Sequence, residues 1–208
     1  MTSLEPFEAA LEYAAFGWKV LPIHGVHESM CECGTYDERH GVGKAPYTQH
    51  NYKDATDDII QISLWWKMWP NANIAIATGS KSKIIVMDID AKNNGYASLN
   101  ELQMRYGLIP QTVTAKSGGG GKHFYFKAPL RELRGRIGMR PGIDVMAEDQ
   151  RIIAPPSRHK SGNRYEWINS PLNWEIAEIP TWLLRIMKTP NAPQKRVRRT
   201  RGWSDILN

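Results

Sequence analysis

The sequence has little cysteine, no long apolar run and no leader pattern at its start. Two cysteines in 208 residues are too few for a disulfide framework. No apolar run approaches the roughly 20 residues that a membrane-spanning helix needs. The first residues lack the basic and then apolar order of a signal peptide. These absences exclude a disulfide-rich scaffold and a membrane-spanning protein, and we expect a cytoplasmic chain.

What remains is the composition of a globular protein. Hydrophobic residues make up 41% of the chain and charged residues 23%, which excludes a wholly disordered sequence. The length fits one domain, or one domain with an appendage, and allows a buried core without covalent crosslinks.

Positive charge is concentrated in two segments of the chain. The formal net charge is +6, but residues 116–164 alone carry +7 and residues 185–208 carry +6. The remaining two segments are acidic, at −4 over residues 1–115 and −3 over residues 165–184. Such local basic regions suit a partner that bears phosphate groups, and their alternative interpretation is a solvated surface.

Hydrophobic periodicity predicts an α+β fold with a mixed or antiparallel sheet. The predicted helices cover residues 5–16, 57–69, 97–106 and 180–187. The predicted strands cover residues 18–22, 73–78, 83–90, 112–115, 122–127, 143–146, 151–154 and 164–168. Two hairpins are expected, one joining 112–115 to 122–127 and one joining 143–146 to 151–154. Residues 23–52 are predicted to be irregular.

A pair of carboxylates stands at the end of an apolar strand, in Asp88-Ile89-Asp90. Side chains two apart in a strand point to the same face, so Asp88 and Asp90 are expected side by side. Two such carboxylates repel each other unless a cation lies between them, and oxygen ligands suit Mg²⁺ or Mn²⁺. Asp144 completes a two-metal cradle if its strand lies beside this one. The alternative is a strand-end turn capped by acidic residues.

Four consecutive glycines precede a basic pair, in the segment from Ser117 to His123. Glycines allow backbone N–H groups to approach an anion closely, and Lys122 and His123 add donors beside them. The segment is not a Walker A loop, because His123 stands where that motif has serine or threonine. The predicted role is phosphate binding, and the alternative is a flexible hairpin tip.

Two further segments carry polar side chains suited to ligands. After Pro155 and Pro156, the run Ser157-Arg158-His159-Lys160 offers donors to phosphate or sugar, or forms a rigid polar loop. In the irregular segment, a Cys-x-Cys pair with flanking histidines can ligate Zn²⁺, although the spacing departs from the common form. The candidate zinc ligands are Cys31, Cys33, His27 and His40.

Taken in chain order, these features resemble the bifunctional primase/polymerase (prim-pol) domain of the archaeo-eukaryotic primase superfamily. The resemblance extends from the first helix to about Met187. The segments that carry it are residues 43–46, 65–66, 70–75, 78–79, 86–90, 117–126, 142–145 and 155–162, with Tyr165 and Trp167.

The resemblance implies a fold and a domain division. The fold is a mixed or antiparallel catalytic sheet like that of an RNA-recognition motif (RRM), packed against an α/β N-terminal subdomain. Residues 1–188 form the catalytic domain, and residues 189–208 a basic linker or tail.

The resemblance also implies template-directed DNA synthesis by two-metal nucleotidyl transfer, in a primase/polymerase that replicates a plasmid or phage-like element. The implied substrates are a single-stranded DNA template, a primer and dNTPs or rNTPs, with a helicase domain or subunit as a partner. Asp88, Asp90 and Asp144 match the catalytic carboxylates that hold Mg²⁺ or Mn²⁺. The implied nucleotide-binding residues are Ser117, Gly120, Gly121, Lys122, His123, Ser157 and His159.

Three departures from the family pattern concern individual residues. Gly121 stands two residues before His123, where the family often has serine. Residues 43–46 read Gly-Lys-Ala-Pro rather than Gly-Lys-His-Pro, and a third cysteine common in the family is absent. The alanine at residue 45 and the absence of a third cysteine both concern the zinc site.

Other roles remain open at the level of sequence. Arg134, Arg136 and Arg140 lie in the central basic segment and are candidates to contact template or primer phosphates, or are solvated surface residues. A metal-dependent nuclease also uses clustered carboxylates, but it has no need of the glycine-Lys-His loop. A non-catalytic DNA-binding module of a replication initiator is the other alternative.

Overall fold

The computed structural model describes residues 5–35 and 41–188. Within these residues the chain forms four α-helices and twelve β-strands. The helices are α1 (Pro6–Ala15), α2 (Ile59–Met68), α3 (Gly95–Tyr106) and α4 (Thr181–Lys188). The strands are β1 (Val20–Ile23), β2 (Val26–His27), β3 (Met30–Cys31), β4 (Asn73–Ala77), β5 (Ile84–Ile89), β6 (Thr114–Lys116), β7 (Lys122–Lys127), β8 (Arg136–Arg140), β9 (Ile143–Met146), β10 (Arg151–Ala154), β11 (Glu166–Asn169) and β12 (Ala177–Glu178).

A seven-stranded sheet forms the centre of the fold. Its strands run in the order β11-β6-β7-β5-β9-β8, every neighbouring pair is antiparallel, and β12 joins β7 in parallel. The structure therefore confirms a mixed α+β fold built on antiparallel pairing.

A smaller antiparallel sheet, in the order β1-β4-β10, lies in the N-terminal part of the fold. Its residues Ile74, Ile76 and Ile152 pack in one hydrophobic cluster with α1, α2 and the central-sheet residues Val86 and Tyr125. This shared cluster joins the two sheets, because apolar side chains of both are removed from water together.

The two faces of β5 have different surroundings. Ile85, Met87 and Ile89 are almost completely buried, and they pack in a cluster that includes residues of α3 and α4. Ile84 and Val86 point to the opposite face, toward the smaller sheet. Alternation along the strand places Asp88 on this second face, where the apolar cluster ends.

Local chemistry explains where the helices begin. Asp58 caps α2, since its carboxylate accepts a hydrogen bond of 2.9 Å from the backbone N–H of Ile60. Pro6 opens α1, where its missing N–H has no helical partner to lose.

One predicted hairpin is wrong. Residues 143–146 and 151–154 are both strands, but they do not pair with each other. β9 lies between β5 and β8 in the central sheet, whereas β10 pairs with β4 in the smaller sheet. The short segment between them crosses from one sheet to the other. Four strands were not predicted from the sequence: β2, β3, β8 and β12. The expectation that residues 23–52 are irregular is therefore wrong where β2 and β3 form a two-stranded sheet.

A buried hydroxyl links α1 to the loop after β10 and to β11. The hydroxyl of Tyr13 donates to the carbonyl oxygen of Pro155 at 2.6 Å and accepts from the indole N–H of Trp167 at 3.0 Å. Tyr13 is 2% exposed, so water cannot replace these bonds.

We expect Tyr13→Phe to lower the free energy of unfolding by about 1–3 kcal/mol, because it leaves a buried carbonyl group and a partly buried indole N–H without this partner. Urea unfolding followed by tryptophan fluorescence measures this difference. The matched control is Tyr106→Phe, whose ring stacks on Trp182 without a hydrogen bond from its hydroxyl among those observed. Equal stability of the Tyr13 variant and the unchanged protein would contradict the assignment.

Candidate active site

Three polar side chains stand in a row across three neighbouring strands of the central sheet. In the strand register, Asp88 of β5 is directly opposite His123 of β7 on one side and Asp144 of β9 on the other. Directly opposite residues project to the same face of a sheet. The pairing therefore brings together residues that lie up to 56 positions apart in the sequence, and we call them the acidic row.

His123 contacts Asp88 within this row. Its Nε2 lies 3.4 Å from Oδ1 of Asp88, and His123 is 3% exposed whereas the Asp88 side chain is 28% exposed. Burial by itself raises the pKa of Asp88, but the hydrogen bond and electrostatic interaction with His123, together with the charge of Lys44, outweigh it, so the pKa is lowered. Asp88 is therefore held as a carboxylate, the form that binds cations.

The two other carboxylates make local hydrogen bonds. Oδ1 of Asp144 accepts a bond of 2.6 Å from the backbone N–H of Gly138. Asp90 directly follows β5 and caps a short 3₁₀-helix, accepting from the N–H of Lys92 at 2.8 Å and from the amide of Asn93 at 2.6 Å. Asp90 thus has the capping role that the sequence left open as an alternative, while Asp88 and Asp144 lie next to each other.

A cleft of about 320 Å³ opens over the Asp88 and His123 end of the acidic row, and Asp144 lies outside its walls. Besides Asp88 and His123, its walls include Lys44, Tyr52, Arg151 and Tyr165. The Arg151 guanidinium donates to the backbone carbonyl of Lys44 at 2.7 Å, and burial lowers the pKa of Arg151. Sequence reasoning did not assign these four residues to the site. Lys44 and Tyr165 belong to segments that carry the family resemblance, but the local sequence does not show that they meet Tyr52 and Arg151, because residues 44–52 and 151–165 are brought together only by the fold.

The glycine loop is packed tightly against its neighbours. A Cβ atom on Gly121 would lie 2.0 Å from the carbonyl oxygen of Ile89, and one on Gly118 would lie 2.3 Å from Cβ of His159. The hydroxyl of Ser117 accepts from the N–H of Gly121 at 2.9 Å, which closes the turn. Glycine is therefore required at Gly118 and Gly121 by close packing as well as by the turn.

His159 connects this loop to the cleft. It lies against the glycine loop, and its ring centroid is 6.0 Å from that of Tyr165, which in turn lies 5.6 Å from the ring of His123. Burial lowers the pKa of His159, and the charges of Lys44, Lys160 and Lys92 lower it further. Three lysines therefore place positive potential around this histidine, as an anion site requires.

The other predicted nucleotide ligands are placed differently. Ser157 is completely buried, and its Oγ accepts a bond of 2.9 Å from the backbone N–H of Ile74. Lys122 is opposite Ile89 in the register, so its side chain leaves the backbone on the face of the sheet away from the acidic row. Ser157 therefore anchors its loop to β4, and Lys44 takes the position of the cation near Asp88.

The predicted DNA-binding arginines lie on or near β8. Arg136 is opposite Val145 and donates to the carbonyl of Ile186 in α4, while Arg140 is opposite Ile143. Val145 and Ile143 belong to the cluster under α3 and α4, so both arginines start on the face away from the acidic row. Arg134 is exposed, and the DNA contact of all three stays a prediction.

The residues of this site lie within a segment that matches a known protein family. The family model of the N-terminal domain of bifunctional DNA primase/polymerase (Prim-Pol) matches residues 10–182, which includes the acidic row, the cleft and the glycine loop. This chain belongs to the Prim-Pol family. No curated protein matches the chain.

Membership of the Prim-Pol family supports a primase/polymerase role in DNA replication, and such an activity implies DNA and nucleotide substrates. Primase/polymerase domains generally use Mg²⁺ or Mn²⁺. Over the described residues, no helix has the length and apolar character needed to cross a bilayer.

The predicted zinc site has no support in the described part of this Prim-Pol domain. Cys31 is buried in β3, and the thiol of nearby Cys33 accepts from the N–H of Thr35 at 3.4 Å. His27 is exposed in β2, and His40 lies outside the described residues. Within residues 5–35 and 41–188, no three His, Cys, Asp or Glu side chains are grouped as a metal site. The acidic row likewise brings two carboxylates together, Asp88 and Asp144, rather than three.

We expect Lys44→Ala to raise the pKa of Asp88, because it removes one of the positive charges that favour the carboxylate. Because the pKa of Asp88 is lowered by folding, the ionised Asp88 stabilises the folded protein at pH values above the ordinary pKa of aspartate. This stabilisation is lost as the pH falls through the pKa of Asp88 in the folded protein. Lys44→Ala therefore reduces this contribution.

A carboxylate NMR titration of Asp88 in metal-free buffer measures the change. The control is Lys92→Ala, whose charge acts on His159 rather than on Asp88. If the titration of Asp88 is the same with and without Lys44, the electrostatic coupling across the cleft is refuted.

Proposed function

We propose that this Prim-Pol domain is a template-directed DNA primase/polymerase that joins nucleotides by two-metal nucleotidyl transfer. The observation that carries the proposal is the acidic row beside a cleft lined with cations. Ionised carboxylates hold divalent cations, and Lys44 and Arg151 are suited to the phosphates of a nucleoside triphosphate. A site with both charges next to each other fits a reaction between a nucleotide and a hydroxyl group.

Asp88 and Asp144 fit a divalent cation. They are direct neighbours in the register, so their Cβ atoms lie about 4.5–5.5 Å apart on one face. Mg²⁺ is commonly bound through one or two carboxylates together with substrate phosphates, so two carboxylates are sufficient. Asp90 is the third candidate, and its use as a ligand requires its carboxylate to leave Asn93 and Lys92. Bound cations would neutralise charge on the triphosphate and lower the pKa of the attacking hydroxyl.

The residues around the row hold the substrate in our proposal. His123 keeps Asp88 ionised and oriented through the contact at 3.4 Å. Lys44, His159 and the backbone N–H groups of the glycine loop receive the phosphates in line for attack. Tyr52 and Tyr165 provide apolar walls against which a sugar or base can pack.

We also assign the central sheet to an RRM-like core of the archaeo-eukaryotic primase fold. The support is that α3 and α4 cover one face of an antiparallel sheet, while the other face carries the acidic row. The proposed setting, a plasmid or phage-like element with a helicase as partner, rests on the resemblance of the sequence to its family.

We expect Asp88→Asn and Asp144→Asn each to reduce nucleotide incorporation by about 1,000-fold, because each removes a negative charge from the cation site. Extension of a labelled primer on a single-stranded template measures this, with dNTPs or rNTPs and Mg²⁺ or Mn²⁺. Products formed without a primer would identify priming. The matched control is Glu101→Gln, the same loss of a carboxylate charge at an exposed residue of α3, on the opposite side of the central sheet from the acidic row.

The same assay tests the alternative functions. Metal-dependent shortening of the primer without incorporation would indicate a nuclease. DNA binding that persists without synthesis, and is unaffected by Asp88→Asn, would indicate a non-catalytic binding module. Wild-type extension by both aspartate variants would refute the catalytic assignment.

We expect His123→Ala to raise the nucleotide KM and lower kcat, since it disturbs both Asp88 and the phosphate side of the cleft. Single-nucleotide incorporation at varied nucleotide and metal concentrations separates the two effects. Tyr125→Phe is the control two residues along the same strand, because its buried hydroxyl has no hydrogen-bond partner in the described structure. Unchanged KM and kcat in His123→Ala would remove His123 from the site.

A further inference from the structure

A second cavity, of about 450 Å³, shares no lining residue with the cleft over the acidic row. Its walls come from the start of α1, the β2–β3 hairpin, the turn before β4 and the loop that follows β10. Arg158 and Arg164 lie in the last of these walls, and we call the cavity the arginine pocket.

The two arginines face each other without an ion pair to a carboxylate of the described residues, although Glu5, Glu28 and Glu32 also line the pocket. Arg158 and Arg164 are directly opposite each other in an antiparallel bridge, and like charges in that position repel. The Arg164 guanidinium has one weak contact, to the carbonyl of Pro156 at 3.5 Å. Within the described residues neither guanidinium forms an ion pair with a carboxylate. An anion between them would turn this repulsion into attraction.

The position of Arg158 is fixed by a buried asparagine. Asn73 is 2% exposed, its Oδ1 accepts from the backbone N–H of Arg158 at 2.8 Å, and its Nδ2 donates to the carbonyl of Arg158 at 2.9 Å. Both backbone groups of Arg158 are thus tied to the first residue of β4. Such fixing of the backbone reduces the entropy lost when the side chain binds a ligand.

Two other features show what kind of anion fits. α1 begins at the pocket, where Glu5 and Pro6 are part of the wall, and Glu5 at the N-cap makes no side-chain capping bond, so its carboxylate faces the pocket region beside the first N–H groups of the helix. The opposite wall is acidic and polar, with Glu28, Glu32 and Asn71. Inorganic phosphate would meet repulsion there, whereas the amino group of a nucleobase finds acceptors. The volume lies in the range of small-molecule sites.

We propose that the arginine pocket binds one nucleotide, with its phosphate between Arg158 and Arg164 and its base toward the acidic wall. This nucleotide is additional to the one at the acidic row. The choice of a nucleotide as ligand rests on the proposed function. Two sources have this chemistry, a free nucleoside triphosphate and the 5′-phosphorylated end of a DNA strand.

The experiment measures binding in EDTA, so that no cation holds a triphosphate at the acidic row. The probes are ATP, and two fluorescent oligodeoxynucleotides that begin with adenosine and differ only in a 5′-phosphate or a 5′-hydroxyl. The test variant is Arg158→Glu, and the matched control is Arg131→Glu, an equal charge change at another exposed arginine. Arg158→Gln is the milder second variant, and thermal unfolding verifies that each protein is folded.

We expect Arg158→Glu to weaken binding of at least one probe about tenfold or more relative to Arg131→Glu, since a charge-assisted contact is lost. Loss confined to the 5′-phosphorylated strand supports the pocket with a strand end as ligand. Loss of ATP binding supports it with a free nucleotide. Equal effects of the two Arg→Glu variants on all probes, or no effect of Arg158→Gln, would overturn the proposal.

The proposed function is judged separately. Synthesis by Asp88→Asn and Asp144→Asn tests the acidic row, whereas binding by Arg158→Glu in EDTA tests the arginine pocket, which shares no lining residue with the cleft. Weakened binding by Arg158→Glu together with normal synthesis by both aspartate variants would refute the proposed function alone. Lost synthesis by the aspartate variants without a specific binding defect in Arg158→Glu would refute the arginine pocket alone.

Discussion

The pairing of β5 with both β7 and β9 is the constraint on which the site depends. It aligns His123, Asp88 and Asp144 across the sheet, and it sends Met87 and Ile89 into the core on the other side. A slip of one residue in either pair would turn the polar row toward α3 and α4 and the apolar side chains toward the cleft. The hydrophobic core therefore enforces the register that the site requires.

The loop after β10 carries this order to the rest of the molecule. Ser157 and Asn73 tie it to β4, and His159 fills the space that the absent side chain of Gly118 leaves. The loop thus borders both the glycine turn and the arginine pocket. Its polar residues have their hydrogen bonds largely within the protein, which makes it a fixed support rather than a mobile arm.

Charge around the cleft is arranged in two zones. The carboxylates stand on the central sheet, while Lys44, Lys92 and Lys160 lie outside it; all three lysines act on His159, and Lys44 also acts on Asp88. This separation favours ligands that carry both a cation and an anion, as a metal-bound triphosphate does. The three arginines expected to bind DNA are not in this arrangement, because Arg136 and Arg140 start on the helix-covered face.

The sequence by itself determined the helices, most strands, the acidic residues and the family. These features rest on local periodicity, on turn residues and on short motifs, all of which are readable along the chain. Which strands pair was decided only by the tertiary structure. β9 and β10 are close in sequence and were expected to form a hairpin, but burial of Ile152 with Ile74 and Ile76 places β10 in the other sheet. The tertiary structure also decided which lysine lies near Asp88. The alternation of side chains along β7 places that of Lys122 on the other face of the sheet, whereas long-range packing brings Lys44 to the cleft.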